Sequence, residues 1–379
     1  MKSANKNRLI FALGVALLLR VRAAEAVSLG ANSCSASSCH GGAGDKSSQF
    51  VTWSQRDVHS RSYATLATAR AARMGEALGI PHPEQSSRCV VCHAPLAGAP
   101  PGTGADPAEG VSCVSCHALP DGWLRGHTRP DWTHADRVAA GMRDLNDLYT
   151  RANTCVACHQ NIDPEIVRSG RHPTLVFELD GQTQDEPRHW REIPPFAGAQ
   201  AWCVGQSVAL REASWSLLNG SAASDRAVLT WQGLAWLANR SGLTSASAPH
   251  DAAAPSRNEL VETMATADQL ARRAARAWTP RDTWTALRRL SATQGDFLDA
   301  GIPALQQAYR AERLVLALDR LVGALPPAER GAGVSSQLDR LFELAQSQPD
   351  FAPAEFAEAM GSFSRLLGPG ESAVAGRQP

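Results

Sequence analysis

Three short units constrain this chain more than anything else in it: CVVCH at 89–93, CVSCH at 113–117 and CVACH at 155–159. Each is a Cys-x-x-Cys pair closed directly by a histidine. The first joins Cys89, Cys92 and His93, the second Cys113, Cys116 and His117, and the third Cys155, Cys158 and His159. Between the first two runs APLAGAPPGTGADPAEGVS, rich in Ala, Gly and Pro, with neither a helical nor a strand period. Such a segment cannot build a core from its own side chains. Whatever the repeated units hold has to supply the apolar bulk.

Three chemistries use paired cysteines. A zinc site needs pairs converging on one metal and places no demand for a histidine after the second cysteine. A redox disulfide of the thioredoxin kind is expected once, near a strand–helix unit, not three times. Cys-x-x-Cys-His is the attachment signature of c-type haem. There the two spacer residues set both sulfurs at neighbouring vinyl groups for thioether formation, and the adjoining histidine becomes the proximal iron ligand. The repetition favours haem. A wider unit, CSASSCH, carries Cys34, Cys39 and His40 with four spacer residues. It reads as a fourth attachment site, the alternatives being a disulfide or a single thioether at Cys39. The ninth cysteine, Cys203, is left over and reads as a buried thiol.

The N-terminus carries the marks of export. Lys2, Lys6 and Arg8 precede an apolar run from Leu9 to Leu19, and Ala24-Glu25-Ala26 is a small-x-small cleavage site, so residues 1–26 read as a signal peptide. The run is too short to span a bilayer and is followed by Arg20 and Arg22. The expected mature chain is periplasmic and has no transmembrane span. The whole chain has 37 basic and 37 acidic residues, and removing 1–26 takes away five basic and one acidic, leaving a net charge of −4. Nothing in that balance points to nucleic acid.

Of eleven histidines, four close the cysteine units. The others are His59, His82, His127, His134, His172, His189 and His250, all but the last within the cysteine-bearing stretch. A second axial histidine makes a six-coordinate haem that carries electrons, whereas its absence leaves iron open to small molecules. Only Met74 and Met142 offer a methionine there, so His/Met ligation is the minor expectation.

At this point the chain resembles the cytochrome c-554 group of multihaem cytochromes. The likeness lies in the order CSASSCHGG, then WSQRDVHSRSYATL, then an isolated CVVCHA, then EGVSCVSCHALPDGWLRGH, and last NTCVACHQN, over roughly residues 33–195. GRHPTLVFELDGQ and PRHW are similar to segments of larger multihaem relatives. The resemblance implies four covalent haems with crossed ligation: His59 on the haem of His117, and His127 on the haem of His40. His172 is the choice for the haem of His159, with His189 as second candidate. The haem of His93 corresponds to the group's five-coordinate one, open or capped by His82 or His134. The four-residue spacer of the first unit and the ALP after His117 depart from the group's pattern.

After about residue 198 the cysteine pairs stop. Leu260, Met264, Ala267, Ala271, Ala274 and Trp278 form one helical stripe. TPRD at 279–282 reads as a helix start, and IPALQQAYRAERLVLALDRLVGAL as a helix stopped by Pro326 and Pro327. Two shorter helices are expected near 338–345 and 353–367. The expected fold is therefore mainly α: a loop-rich tetrahaem domain at 27–197 with few helices, then an antiparallel helical bundle at 198–367. A flexible linker near 241–257, SGLTSASAPHDAAAPSR, and a disordered tail at 368–379 complete it. The function this implies is electron transfer between exported redox proteins, or from a membrane quinone-oxidising complex. The alternatives are a haem enzyme acting on a small nitrogen or sulfur compound at an open His93 haem, and a docking subunit.

Overall fold

The computed structural model describes residues 30–192, 197–220, 224–243, 254–347 and 350–367. The expected signal peptide, the tail, His250 and most of the linker lie outside them. All regular structure among the described residues is helical, with no strand. No helix among them is long and apolar enough to cross a membrane.

The cysteine-bearing half is built of short helices and turns: α1 (Gln49–Arg56), α2 (Ala69–Leu78), α3 (Ser87–His93), α4 (Cys113–His117), α5 (His134–Ala139), α6 (Leu148–His159), α7 (Pro164–Arg168) and α8 (Leu179–Asp185). Each regular cysteine unit ends a helix, so His93, His117 and His159 are the last residues of α3, α4 and α6. Helical geometry explains the spacing: residues at i, i+3 and i+4 share one face, so both sulfurs and the imidazole come off the same side. The wider unit cannot do this, and Cys34 ends a 3-10 turn, Ala31–Cys34, instead.

The long helices follow: α9 (Gly198–Asn219), α10 (Asp225–Arg240), α11 (Arg257–Arg276), α12 (Pro280–Ser291), α13 (Ala304–Gly323), α14 (Val334–Ala345) and α15 (Pro353–Leu366). Their starts are chemically marked. Ser256 and Glu259 form a reciprocal capping box at α11, as do Thr279 and Asp282 at α12, where Pro280 is the first helical residue. α9 is the central element and packs against α6, α8, α10, α11 and α13. Its residues from Ala201 to Leu210 are all buried, including Cys203. The core runs through the junction of the two halves, because Ala152, Val156, Phe177 and Leu179 belong to the same apolar cluster as the long helices. Gly205 permits the close approach there: an added Cβ would stand 2.8 Å from Leu179 Cβ.

Charges are also buried at that junction. Glu178 accepts from Arg313 at 3.0 Å and from Gln206 at 2.8 Å, while Arg320 forms an ion pair with the fully buried Asp180 at 2.7 Å. Burial pushes the Glu178 carboxyl up to about 6, against the pull of Arg313. A carboxyl that holds its proton more tightly when folded favours the fold below its unfolded pKa, and that advantage fades as pH rises through 6. The expected difference in stability between pH 5 and pH 7.5 is about 1 kcal/mol in favour of pH 5. Thermal melts at the two pH values check this, and Glu178→Gln should remove that share of the difference.

Candidate functional site

The segment around His59 is strapped to the approach of the second regular unit of the chain's core, CVSCH. Val111 N donates to the His59 carbonyl at 3.0 Å, Trp53 Nε1 donates to the Val111 carbonyl at 3.1 Å, and the Ser62 hydroxyl donates to the carbonyls of both His59 and His93 at 2.8 Å. Gly110 makes the approach possible. It sits at φ +64°, and an added Cβ would stand 2.5 Å from the His59 carbonyl oxygen. Two non-glycine residues among those described have positive φ, Ala118 at 70° and Arg171 at 54°. One follows His117 and the other precedes His172. Backbone held in this region costs free energy and concentrates at functional positions.

The folding of these segments sets imidazoles against each other. His40 and His127 stand with ring centroids 6.1 Å apart and planes 13° from parallel. His59 and His159 stand at 5.9 Å, nearly perpendicular. His93 and His172 stand at 6.4 Å and 70°. An iron that takes one imidazole nitrogen on each face at about 2 Å holds the two ring centroids roughly 6 Å apart. The three separations match that requirement, and each pair joins a motif histidine to one from another segment. Partial burial pushes the His117 imidazole down to about 4, with the charge of nearby His189 acting in the same direction. His189 is itself packed edge-on against Trp190 at 5.1 Å. The residues present therefore fit bis-imidazole haem.

Two expected pairings differ from this arrangement. His59 lies against His159 rather than His117. Its backbone is tied to residue 111, but its Nδ1 is fixed 2.9 Å from Asp57, and the ring meets the end of α6. His172 lies against His93 rather than His159. Arg88, near the start of α3, bonds Asp163 and Glu165 at the start of α7, at 2.5 and 2.8 Å, so the segment leading to His172 lies beside α3. His93, expected to be open or capped by His82 or His134, thus has the His172 imidazole facing it. His82 and His134 are turned to carboxylates instead, Glu84 at 3.3 Å and Asp144 at 3.0 Å, with side chains 65% and 49% exposed. Met74 and Met142 have no role in the three ring pairs.

The thiols are ordered too. Cys34 and Cys113 lie within hydrogen-bonding reach of each other, as do Cys92 and Cys158. Burial pushes Cys116 up to about 11 and Cys155 up to about 12, and the charge of Cys116 adds to the rise at Cys155. The four units therefore succeed one another in space as CSASSCH, CVSCH, CVACH, CVVCH. Behind the rings stand residues that no sequence pattern singled out. His40 Nδ1 meets Gln49 Oε1 at 3.1 Å, and His93 Nδ1 meets the Ser62 carbonyl at 2.9 Å and the Thr65 hydroxyl at 3.1 Å. His127 Nδ1 meets the Leu124 carbonyl, His172 Nδ1 the Pro173 carbonyl at 2.8 Å, and His159 Nδ1 the Gln182 amide at 3.3 Å. Burial works against the charge of Asp57, and the donors of His59 outweigh it, holding the carboxyl below its ordinary value. In return, Asp57 raises the His59 imidazole against the effect of burial. The only signal for such a partner is local, an acidic residue two before a histidine, where it also accepts from the His59 backbone N–H at 2.9 Å.

A cleft of about 820 Å³ opens beside α1, lined by Lys46, Gln49, Arg56, Arg188, His189 and Arg191 among others. Residues 33–118 match the family model for cytochrome c554 and c-prime. That stretch holds the first three cysteine units and ends one residue after His117. No curated protein and no solved structure matches the chain.

Proposed function

We propose that the protein is an exported tetrahaem electron carrier with covalently bound c-type haem, a reading supported by the match of residues 33–118 to the family model for cytochrome c554 and c-prime. Cys34 and Cys39, Cys89 and Cys92, Cys113 and Cys116, and Cys155 and Cys158 would hold the four groups, with His40, His93, His117 and His159 as proximal ligands. His127, His172, His189 and His59 would be the respective distal ligands. Haem iron held between two imidazoles takes up and releases single electrons without presenting an open position to substrate.

The observation that carries this reading is the set of three imidazole pairs at 5.9–6.4 Å, each made by segments far apart in sequence. The chain's own part is positional. The helical ends of α3, α4 and α6 present sulfurs and imidazole on one face, and Nδ1 partners fix the rings of His40, His59, His93, His127, His159 and His172. The succession of thiols from Cys34 to Cys92 supports four groups in one series. Lys46, Arg56, Arg188 and Arg191 would meet the carboxylate edge of a haem at the cleft beside His189. The mature chain's net negative charge favours exported redox partners, or a membrane quinone-oxidising complex, that offer a basic patch. Removal of 1–26 on export is part of the same reading, and the mass of protein recovered from the periplasmic fraction tests it.

The competing reading, an enzyme acting at an open His93 haem, loses its main support because His172 faces His93. Cyanide, nitric oxide and hydroxylamine distinguish the two. The expected result is an absorption spectrum of the oxidised protein that none of them changes. A high-spin band that shifts on addition would transfer the proposal to the enzyme reading.

A further inference from the structure

One ring among the imidazole pairs has a different kind of partner behind it. His59 Nδ1 lies 2.9 Å from Asp57 Oδ1, and Asp57 is 2% exposed. The Nδ1 atoms of His40, His93, His127, His159 and His172 meet only amides, hydroxyls or carbonyls. A second carboxylate adds to the first: ligand atoms of Asp57, His59 and Glu186 all lie within 4.8 Å of one another. Arg151, the cation that Glu186 feels, is engaged by Glu192 at 2.7 and 3.2 Å. His189 is the other titratable group felt by Asp57. The surroundings of His59 are thus weighted to negative charge.

An imidazole that donates Nδ1–H to a buried carboxylate gains imidazolate character, becomes a stronger donor to a metal, and favours the more highly charged oxidation state. Burial matters because salt screens such a carboxylate far less than an exposed one. We propose that Asp57, through its hydrogen bond to His59, makes the haem attached at Cys155 and Cys158 the lowest-potential member of the series. It is the last to be reduced and the first to be oxidised. This rests on the reading that His59 and His159 are the two axial ligands of that haem. In the succession of thiols that haem occupies an interior place, between the CVSCH and CVVCH units, so electrons settle to either side of it.

Asp57→Asn tests the inference with little structural cost, because the retained oxygen still accepts from the His59 backbone N–H. The readout is a spectroelectrochemical titration of the intact protein followed by optical and electron paramagnetic resonance spectra. The expected result is unchanged haem content, all haems low-spin, and one midpoint raised by about tenfold in its reduction equilibrium, about 59 mV for a one-electron couple. Asp57→Glu should return it toward the original value. Gln49→Glu, which places a carboxylate behind His40, should lower a different midpoint by a similar factor. A D57N protein that keeps its haems and moves no midpoint overturns the proposal. Should D57N lose haem, Q49E decides alone: a lowered midpoint supports the proposal and an unmoved one overturns it. His59→Ala separates the two layers. If every haem stays low-spin in that variant, the ligand assignment has failed. If one becomes high-spin while D57N moves nothing, the assignment stands and the tuning role of Asp57 is gone.

Discussion

Replacing His172 by alanine is expected to leave four haems attached and to turn one of them high-spin. The attachment sulfurs and His93 are untouched by the change, so thioether formation and the proximal bond persist. What disappears is the ring 6.4 Å from His93. The expected consequence is stoichiometric: one carbon monoxide bound per reduced chain where the parent binds none, and about a quarter of the haem signal moved from low to high spin, as loss of one axial ligand requires. The fold should change little, because α7 is held by Arg88 to Asp163 and Glu165, and the His172 backbone N–H still donates to the Ile166 carbonyl at 3.1 Å. If carbon monoxide binding is the same before and after the change, His172 is not the distal ligand at this site. His82→Ala and His134→Ala are the matched controls, since those rings face Glu84 and Asp144, and neither should alter the spin state.

Trp231→Ala is expected to cost about 4 kcal/mol of stability, within the range measured when a large buried aromatic is truncated. Trp231 is 1% exposed and its Nε1 donates to Ser214 at 2.9 Å, joining α10 to α9. Truncation removes both the apolar contact and that bond, and the surrounding helices cannot close over a cavity of this size. The effect should reach the haem-bearing half. α9 packs on α6, which carries Cys155, Cys158 and His159, and Gln160 donates to the Ala209 carbonyl of α9 at 2.6 Å. Denaturation followed by helical signal and by haem absorbance should therefore shift together in this variant. Ser214→Ala leaves the Trp231 ring in place, removes the bond from its Nε1 together with the bond that the Ser214 hydroxyl donates to the Leu210 carbonyl at 2.8 Å, and should cost about 1–2 kcal/mol. Two separate transitions, with the haem absorbance unmoved, would mean that the halves do not share stability.

The features legible in the sequence are those set by short-range chemistry. Cys-x-x-Cys-His fixes the relation of two sulfurs and one imidazole within a helical turn, so attachment units can be read without tertiary knowledge. The stripe from Leu260 to Ala274 and the Thr279–Asp282 box gave α11 and the start of α12 for the same reason. α9 was not foreseen as an element, because it is buried on nearly every side and its apolar residues run consecutively rather than on one face. The partners of the motif imidazoles are harder still. Nothing near His172 in the chain says that its ring will meet His93 at the end of α3, and nothing near His59 says that its ring will meet the end of α6. Those pairings are properties of packing. The acidic residue behind His59 is local in sequence but gains meaning only from its burial.

The proposed function rests on four haems, each held between two histidines. Low-temperature electron paramagnetic resonance with spin quantitation, on oxidised protein whose intact mass gives the number of attached haems, measures it directly. The expected result is four haems per chain and four low-spin ferric centres, with no high-spin signal. Three haems, or four with a high-spin component near one equivalent, would contradict it.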